Sequence, residues 1–349
     1  MRTKGKRMVE NNEKPQKEKK IKKKMGIGKK IAIVLISILL IFSIIFGILL
    51  YIASSTLGKI GFEKLNEEEL GLNNDLYNEV SENVSKQEFN SIKNVALFGI
   101  DGGRSDTIII ASINQTDHTI KLISIPRDTY VSVKGYGKTK INHAYAYGKE
   151  QLALQTINSN FGLNISEYVT INFKGLINII NKIGGVEIEI TKEEMNYINQ
   201  FVHESYQLTG RTVQKVTSYG KVKLTGEQAL THARNRTIGN DFTREERQRD
   251  VITAVMDKVS KMSMTQIWGL SDSILSEVKT NLNITECMGI LTSALGNSSD
   301  YINNIISKQI PSEEKGNGSG AGQKIDGIYY FVCDLDEASK AFKNTIYGE

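Results

Sequence analysis

The longest apolar run in the chain is "IAIVLISILLIFSIIFGILLYIA", residues 31–53, without one charged side chain. A helix needs about 20 apolar residues to cross the hydrocarbon core of a bilayer, and this run supplies them. It also exceeds the apolar region of a cleaved signal peptide, roughly 7 to 15 residues, so the pattern predicts a retained transmembrane helix. Beyond it the apolar positions fall into short blocks. Residues 54–90, with "NEEELGLNNDLYNEVSENVSKQEF", are polar and acidic with scattered leucines and read as a stalk or a short helix leading from the membrane. "VALFGI" (95–100), "TIIIASI" (107–113) and "IKLISI" (120–125) are β-branched and bounded by Gly, Asp, Asn or Pro, which predicts strands, the first two buried on both faces.

Helical spacing follows in "EQLALQTINSNF" (150–161) and "KGLINIINKIGG" (174–185), where Gly184 and Gly185 stand at the position of a left-handed C-cap. "YVTINF" and "VEIEI" flank the second of these as strands. Downstream, "LTGEQALTHARNR" has a capping box of Thr225 with Gln228, and "TREERQRDVITAVMDKV" one of Thr243 with Glu246. Residues 264–277 and 284–296 read as helices, "SEEKGNGSGAGQKIDG" as a loop, and "IYYFVCD" with "LDEASKAFKNTIY" as a closing strand and helix. Alternation of this kind predicts a layered α/β domain around a mixed sheet.

Charge then divides the chain. Residues 1–30 hold thirteen Lys or Arg against three Glu, a net of +10 beside +5 for the whole, so residues 31–349 carry −5. The basic side precedes the span, and Glu63, Glu67, Glu68 and Glu69 follow it. The positive-inside rule places residues 1–30 in the cytoplasm and everything after about 54 outside. The expected order is thus a cytoplasmic tail (1–30), an anchor (31–53), a stalk (54–90) and an extracellular domain (91–349). Pairing of the tail with anionic lipid accounts for its charge, and no nucleic acid is expected. Cys287 and Cys333 are too few and too far apart for a disulfide framework or metal cluster, and serve either as one bridge or as two free thiols. His118, His143, His203 and His232 fall at no metal-ligand spacing and read as structural or surface residues.

Two constellations carry chemistry. "ARNRTIGNDFTREERQRD", residues 233–250, holds five arginines and four acids. Arg234 and Arg236 end one helix, and Arg244, Arg247 and Gln248 begin the next, so a fold-back would gather guanidiniums at a helix N-terminus, a ready anion site. Taken alone, the stretch is equally a solvated face salt-bridged through Asp241, Glu245, Glu246 and Asp250. The second constellation is "FGIDGGRSDT", with Asp101 at a strand end, Arg104 in the turn and Asp106 at the next strand. Two neighbouring carboxylates resist joint ionisation unless a cation lies between them, and Mg2+ takes one or two carboxylates while bridging substrate phosphates. "PRDT" adds Arg127 beyond a third strand. Acids for metal and arginines for phosphate are complementary requirements.

In this order "NVALFGID", "RSDTIIIASIN", "LISIPRDTYV", "KINHAYAYG", "GGVEI", "LTGEQALTHARNR" and "DFTREERQRDVITAV" resemble the LytR-CpsA-Psr family of cell-wall glycopolymer ligases, over roughly residues 90–260 and more weakly beyond. The resemblance implies an α/β/α sandwich, with a central mixed sheet, that uses Mg2+ (or Mn2+). It implies transfer of a polyprenyl-pyrophosphate-linked glycopolymer, of teichoic-acid or capsule type, to a muramic acid hydroxyl of peptidoglycan outside the membrane. By position it makes Asp101 and Asp106 the metal-associated acids, Arg104, Arg127, Arg234, Arg236, Arg244 and Gln248 the pyrophosphate-binding set, and Asp241 an acid considered for catalysis. Two departures stand out: the turn between Asp101 and Asp106 is shorter than in many members, and Val131 stands where some carry a further arginine. The rival expectations are a non-catalytic receptor of wall precursors and a pyrophosphatase with water as acceptor.

Overall fold

The computed structural model describes residues 61–62, 64–239, 241–263, 265–266, 269–270, 277–282 and 298–348. The expected tail and membrane span, Cys287, the helix at 284–296 and most of that at 264–277 lie outside the described residues.

Strands β1 (Gly61–Phe62), β2 (Ile92–Asp101), β3 (Arg104–Asn114), β4 (Thr119–Ser124), β5 (Tyr130–Val133), β6 (Gly137–Lys140), β7 (Glu167–Asn172), β8 (Val186–Ile190), β9 (Gly220–Leu224), β10 (Val278–Thr280), β11 (Ile305–Gln309), β12 (Gly320–Ile325) and β13 (Ile328–Cys333) follow in chain order. Seven of them form a mixed sheet in the order β1-β10-β7-β2-β3-β4-β11. Parallel pairs β2–β7 and β4–β11 alternate with antiparallel pairs β2–β3 and β3–β4. As a result β2, β4 and β7 all end at the same edge of the sheet, with the β2–β3 turn between them. In sheets of this kind that edge is the favoured place for a ligand.

The helices are α1 (Leu76–Val80), α2 (Lys86–Ser91), α3 (Ile141–Phe161), α4 (Phe173–Lys182), α5 (Lys192–Phe201), α6 (Tyr206–Thr209), α7 (Gly226–Ala233), α8 (Asp241–Ser260), α9 (Ser298–Asn303) and α10 (Leu335–Tyr347). On one face of the sheet Ala96, Phe98, Ile108 and Ile110 pack with Leu154 and Ile157 of α3 and Phe342 of α10. On the other, Leu97, Ile109 and Ala111 meet Ile252 and Met256 of α8 and Tyr301 of α9. Burial on both faces is why β2 and β3 read as nearly continuous apolar runs. The strand "VEIEI" behaves otherwise: Val186, Ile188 and Ile190 point inward and Glu187 and Glu189 outward. As β8 it pairs with β9 outside the main sheet, over a separate core shared with α4, α5, α7 and α8.

Three expectations are corrected. The stretch expected as a stalk supplies Leu70, Leu76, Val80 and Val84 to the core, each no more than 3% exposed. The stretch holds two short helices, α1 and α2, too brief for their period to show that the scattered apolar residues share a buried face. The loop expected at 312–327 contains β12, paired with β13 through Asp326 and Gly327, both at positive φ. An Asp-Gly pair between strands is the signature of a tight hairpin turn. Finally, α8 begins at Asp241, so Thr243 lies inside the helix and does not cap it; its hydroxyl donates to the Ile238 carbonyl at 3.3 Å.

Because Leu70 is wholly buried, Leu70→Ala in the full chain is expected to cost about 2–5 kcal/mol in denaturant unfolding. Glu68→Ala, on an exposed side chain two residues earlier, should stay within about 0.5 kcal/mol. Equal midpoints for the two variants would return residues 61–91 to the role of a spacer.

Candidate active site

At the shared edge of β2, β4 and β7 lies a cleft of about 580 Å³ lined by Asp101, Gly102, Arg104, Asp106, Arg127, Tyr197, Phe201, Glu204, Ser205, Leu230, Thr231, Arg234 and Arg236. Its acids come from the β2–β3 hairpin. Gly102 and Gly103 take φ of 54° and 84°, values that suit glycine, and reverse the chain in two residues. The register then slips: Ser105 stands opposite Ile100 and Thr107 opposite Gly99, leaving Asp106 opposite neither. Such a bulge re-aims side chains. Arg104 and Asp106 line the cleft, while the next residue, Thr107, lines a smaller apolar cavity beside it.

The arginines arrive from two directions. Arg127 follows β4, and its Nη1 donates to Asp106 Oδ1 at 2.9 Å. Arg234 and Arg236 stand beyond α7, whose capping box is as expected: the Gln228 N–H meets the Thr225 hydroxyl, and the Thr225 N–H meets Gln228 Oε1 at 2.8 Å. Arg234 Nη2 lies 3.6 Å from Asp101 Oδ2, and Arg236 Nη2 lies 3.9 Å from Asp106 Oδ2. Four guanidiniums face three carboxylates, Asp101, Asp106 and Glu204, so the lining carries a formal +1.

The apolar cavity, about 160 Å³, is lined by Leu97, Val169, Ile171, Phe173, Leu176, Val251 and Ile252 among others, and shares Leu230 and Arg234 with the cleft. Arg234 lies over the Phe173 ring at 5.1 Å from its centroid. A polar cleft therefore passes into an apolar slot across one guanidinium.

Six of the nine expected site residues converge: Asp101, Asp106, Arg104, Arg127, Arg234 and Arg236 all line the cleft. Gln248 lines the apolar cavity instead. Arg244 is 2% exposed and belongs to neither lining. Asp241 opens α8, and its side chain lies outside the described residues. Val131 is wholly buried in the core with Phe98 and Ile110, so this position does not serve the cleft.

A residue that the sequence placed among the guanidiniums at the helix start, but outside the expected site set, holds the arginine loop in place. Arg247 of α8 donates from Nη2 to the Ile238 carbonyl at 2.9 Å, from Nη1 to the Asn235 carbonyl at 3.3 Å, and from Nε to Glu194 Oε1 at 2.6 Å. Asn235 Oδ1 accepts from the N–H groups of Thr237 and Ile238 at 3.0 and 3.2 Å. The backbone under Arg234 and Arg236 is thus fastened from within while their side chains reach the cleft. Glu194 lies 53 residues before Arg247, and no local pattern links the two. Arg249 makes a parallel contact, Nη1 to Ser124 Oγ at 2.7 Å, at the end of β4 just before Arg127.

Beside this clamp His232 is 1% exposed, with neither ring nitrogen hydrogen-bonded. Burial pushes its pKa down to about 4, with Glu194 opposing and Arg247 assisting. Burial alone would raise the Glu194 carboxyl, but the Thr191 N–H, the Arg247 guanidinium and His232 hold it below its ordinary value.

The LytR_cpsA_psr family model matches residues 62–346 of the chain. Teichoic acid transferase TagU of Enterococcus faecalis is 34% identical over 262 residues, 70% of this chain and 80% of that protein. TagU of Oceanobacillus iheyensis is 32% identical over 261 residues, 71% and 73% of the two chains. Among solved structures, TagT with bound octaprenyl pyrophosphate lipid superposes with a TM-score of 0.56 at 25% identity, covering 74% of this chain and 91% of that one. TagT bound to LIIa-WTA gives 0.59 at 26% identity, over 74% and 92%.

His232 makes the clamp sensitive to acid. The unfolded histidine takes up a proton near 6.5 and the folded one near 4. Between those values the unfolded state binds more protons, so stability falls as pH drops through that window. The loss by pH 4 is expected to be on the order of 2 kcal/mol in denaturant unfolding. Glu194, held low, keeps its own contribution above 4.5. Asp250, its carboxyl raised to about 6 by burial, contributes with the opposite sign in this window, so a fall above 4.5 has the sign of the imidazole, and His232→Phe should flatten or reverse it. An unchanged slope in that variant would assign the acid sensitivity elsewhere.

Proposed function

Because the chain belongs to the LytR-CpsA-Psr family, we propose that its cleft transfers a glycopolymer from a polyprenyl-pyrophosphate carrier to a hydroxyl of peptidoglycan, and that the glycopolymer is teichoic acid. The protein is a transferase, as its relatives named polyisoprenyl-teichoic acid–peptidoglycan teichoic acid transferases are. The observation that carries this reading is the junction at Arg234, where the polar cleft and the apolar cavity meet. An amphiphile with a diphosphate head and an isoprenoid tail has that division of chemistry.

In this reading the tail lies against Phe173, Leu176 and Ile252, and Arg104, Arg127, Arg234 and Arg236 clamp the diphosphate. The acceptor hydroxyl attacks the sugar-linked phosphorus, the anhydride P–O bond breaks, polyprenyl phosphate leaves and a phosphodiester forms. Catalysis of this type is mostly positioning and neutralisation of charge as the anhydride opens. Asp106, inside the cleft, takes the proton of the attacking hydroxyl; Asp241, whose side chain lies outside the described residues, is the other acid considered for that step.

The resting ion pairs suit such a cycle. Arg234 and Asp101 are 43% and 40% exposed, and exposed pairs are worth about 0–1 kcal/mol. A diphosphate can draw Arg234 away from Asp101 at little cost. Arg127 and Asp106 are more enclosed, 18% and 19% exposed, and form the fixed part of the cradle.

Asp101 and Asp106 also fit a divalent cation. Among the described residues no group of three or more His, Cys, Asp or Glu is placed to hold one, but Mg2+ binds through one or two carboxylates, waters and substrate phosphates. When bound there, Mg2+, with Mn2+ as substitute, would neutralise charge on the diphosphate. Carboxylates within the arginine cradle supply a proton acceptor and a metal ligand, which a pure anion receptor does not require, and this favours the transferase over that alternative.

We place this domain outside the cell, anchored by the single span at 31–53 with residues 1–30 in the cytoplasm; the charge asymmetry across the run supports that orientation. The full chain extracted in mild detergent is expected to carry polyprenyl phosphate or pyrophosphate detectable by mass spectrometry. Arg127→Ala and Arg234→Ala should each lower turnover of a lipid-diphosphate donor by roughly 10²-fold. Asp101→Asn should raise the Mg2+ concentration needed for half-maximal turnover. Wild-type turnover in both arginine variants would refute the assigned cradle, and donor consumption without acceptor would favour a pyrophosphatase.

A further inference from the structure

Two exposed tyrosines meet beside the cleft. Tyr136, in the turn between β5 and β6, and Tyr147, on α3, stack with centroids 4.2 Å apart and an interplanar angle of 17°. They are 55% and 45% exposed. Large aromatic rings so placed are uncommon on a protein surface that binds nothing. Tyr136 is held in position by its turn, where Gly135 and Gly137 take φ of 82° and 76°. Tyr147 precedes a break in α3, where Lys149 adopts φ 51° and ψ −147°. One helical turn earlier His143 stands 5.8 Å from the Tyr147 ring, with Nδ1 at 2.8 Å from the Thr139 hydroxyl.

The β5–β6 hairpin that carries Tyr136 is tied to the cleft wall through ion pairs. Arg104, which lines the cleft, acts electrostatically on the His143 ring. From β6 an ion-pair chain runs inward: Lys140 to Asp128 at 2.6 Å, Asp128 to Arg127 at 3.5 Å, and Arg127 to Asp106 at 2.9 Å. It therefore borders the end of the cleft near Arg104 and Arg127, which the apolar cavity does not share.

We infer that the Tyr136–Tyr147 stack, with His143 and Thr139 at its edge, is the docking platform for the acceptor glycan strand. The inference rests on the transferase reading and names where its second substrate binds. Pyranose rings present an apolar C–H face and a rim of hydroxyls, matching a ring face bordered by an imidazole and a hydroxyl. Lys134, Lys138 and Lys149 are exposed around the strip, and peptidoglycan stem peptides carry carboxylates. A second protein partner would call for a wider apolar patch than two rings among lysines provide.

Direction of attack selects the acceptor over the donor glycan. In phosphoryl transfer the attacking and leaving oxygens lie roughly in line. Polyprenyl phosphate departs toward Arg234 and the apolar cavity, so the hydroxyl enters from the Arg104 and Arg127 end, where the tyrosines stand.

The test uses the full chain in detergent, with Tyr136→Ala, Tyr147→Ala and the double variant, a lipid-diphosphate donor and peptidoglycan fragments. In the double variant acceptor KM is expected to rise about 3- to 10-fold, with kcat and donor KM unchanged, and Tyr147→Phe should restore it. A defined N-acetylglucosamine–N-acetylmuramic acid oligosaccharide, titrated without donor, should bind more weakly to the double variant by a similar factor. Turnover that proceeds with unaltered acceptor KM, or a rise confined to donor KM, overturns the platform and leaves the transferase standing. Tyrosine-dependent oligosaccharide binding without any transfer by the wild type would do the reverse.

Discussion

Two of the four cleft arginines stand on a short backbone segment that would, by itself, have many conformations. Arg247 removes that freedom by donating to the Asn235 and Ile238 carbonyls and to Glu194 at once. A buried cation is costly unless its donors are satisfied, and removal of one partner from a buried pair costs about 3–5 kcal/mol. Here Nε, Nη1 and Nη2 each find an oxygen, so the cost of burial is offset and the loop is rigid as a consequence. His232, buried and neutral beside the pair, adds no competing charge above acid pH. The convergence of Arg234 and Arg236 on Asp101 and Asp106 depends on this one fastening.

The cleft keeps its cations ready by keeping anions beside them. Arginines without counterions would repel one another and reorganise when a diphosphate arrived; paired with carboxylates, they already occupy the geometry they will use. The pairs differ in strength in a useful way. The exposed Arg234–Asp101 contact can exchange partners cheaply, whereas the enclosed Arg127–Asp106 contact persists. Preorganisation and release are thus divided between two arginines by exposure alone.

Much of this was legible in the sequence because it followed from local pattern. The strand ends at Asp101 and Ser124, the Thr225 capping box and the arginines after α7 all came from spacings of four residues or fewer. The resemblance added which of those charges belong to one site. What could not be read depended on contacts across long stretches of chain: Glu194 with Arg247, Arg249 with Ser124, and Leu70 with a core whose sheet residues begin 26 residues later at Ala96. Helical spacing put Arg244 and Gln248 on one face and the resemblance assigned both to the cradle, yet one is buried outside the cleft lining and the other lines the apolar cavity. Periodicity tells which residues share a face of a helix and not what that face meets.

The arginines of α8 show what separates these roles. With about 100° between successive residues, Arg247 and Gln248 lie within about 60° of Arg244, while Arg249 lies about 140° away. A single polyanion could never have contacted all three guanidiniums. The helix instead uses its arginines as struts, one under the loop bearing Arg234 and Arg236 and another at the strand end leading to Arg127. Buried guanidiniums hold two loop carbonyls and a strand-end hydroxyl, and the segments they hold carry the guanidiniums that line the cleft. The density of positive charge in residues 233–250 therefore has two layers with different work, and only the outer layer reaches the cleft.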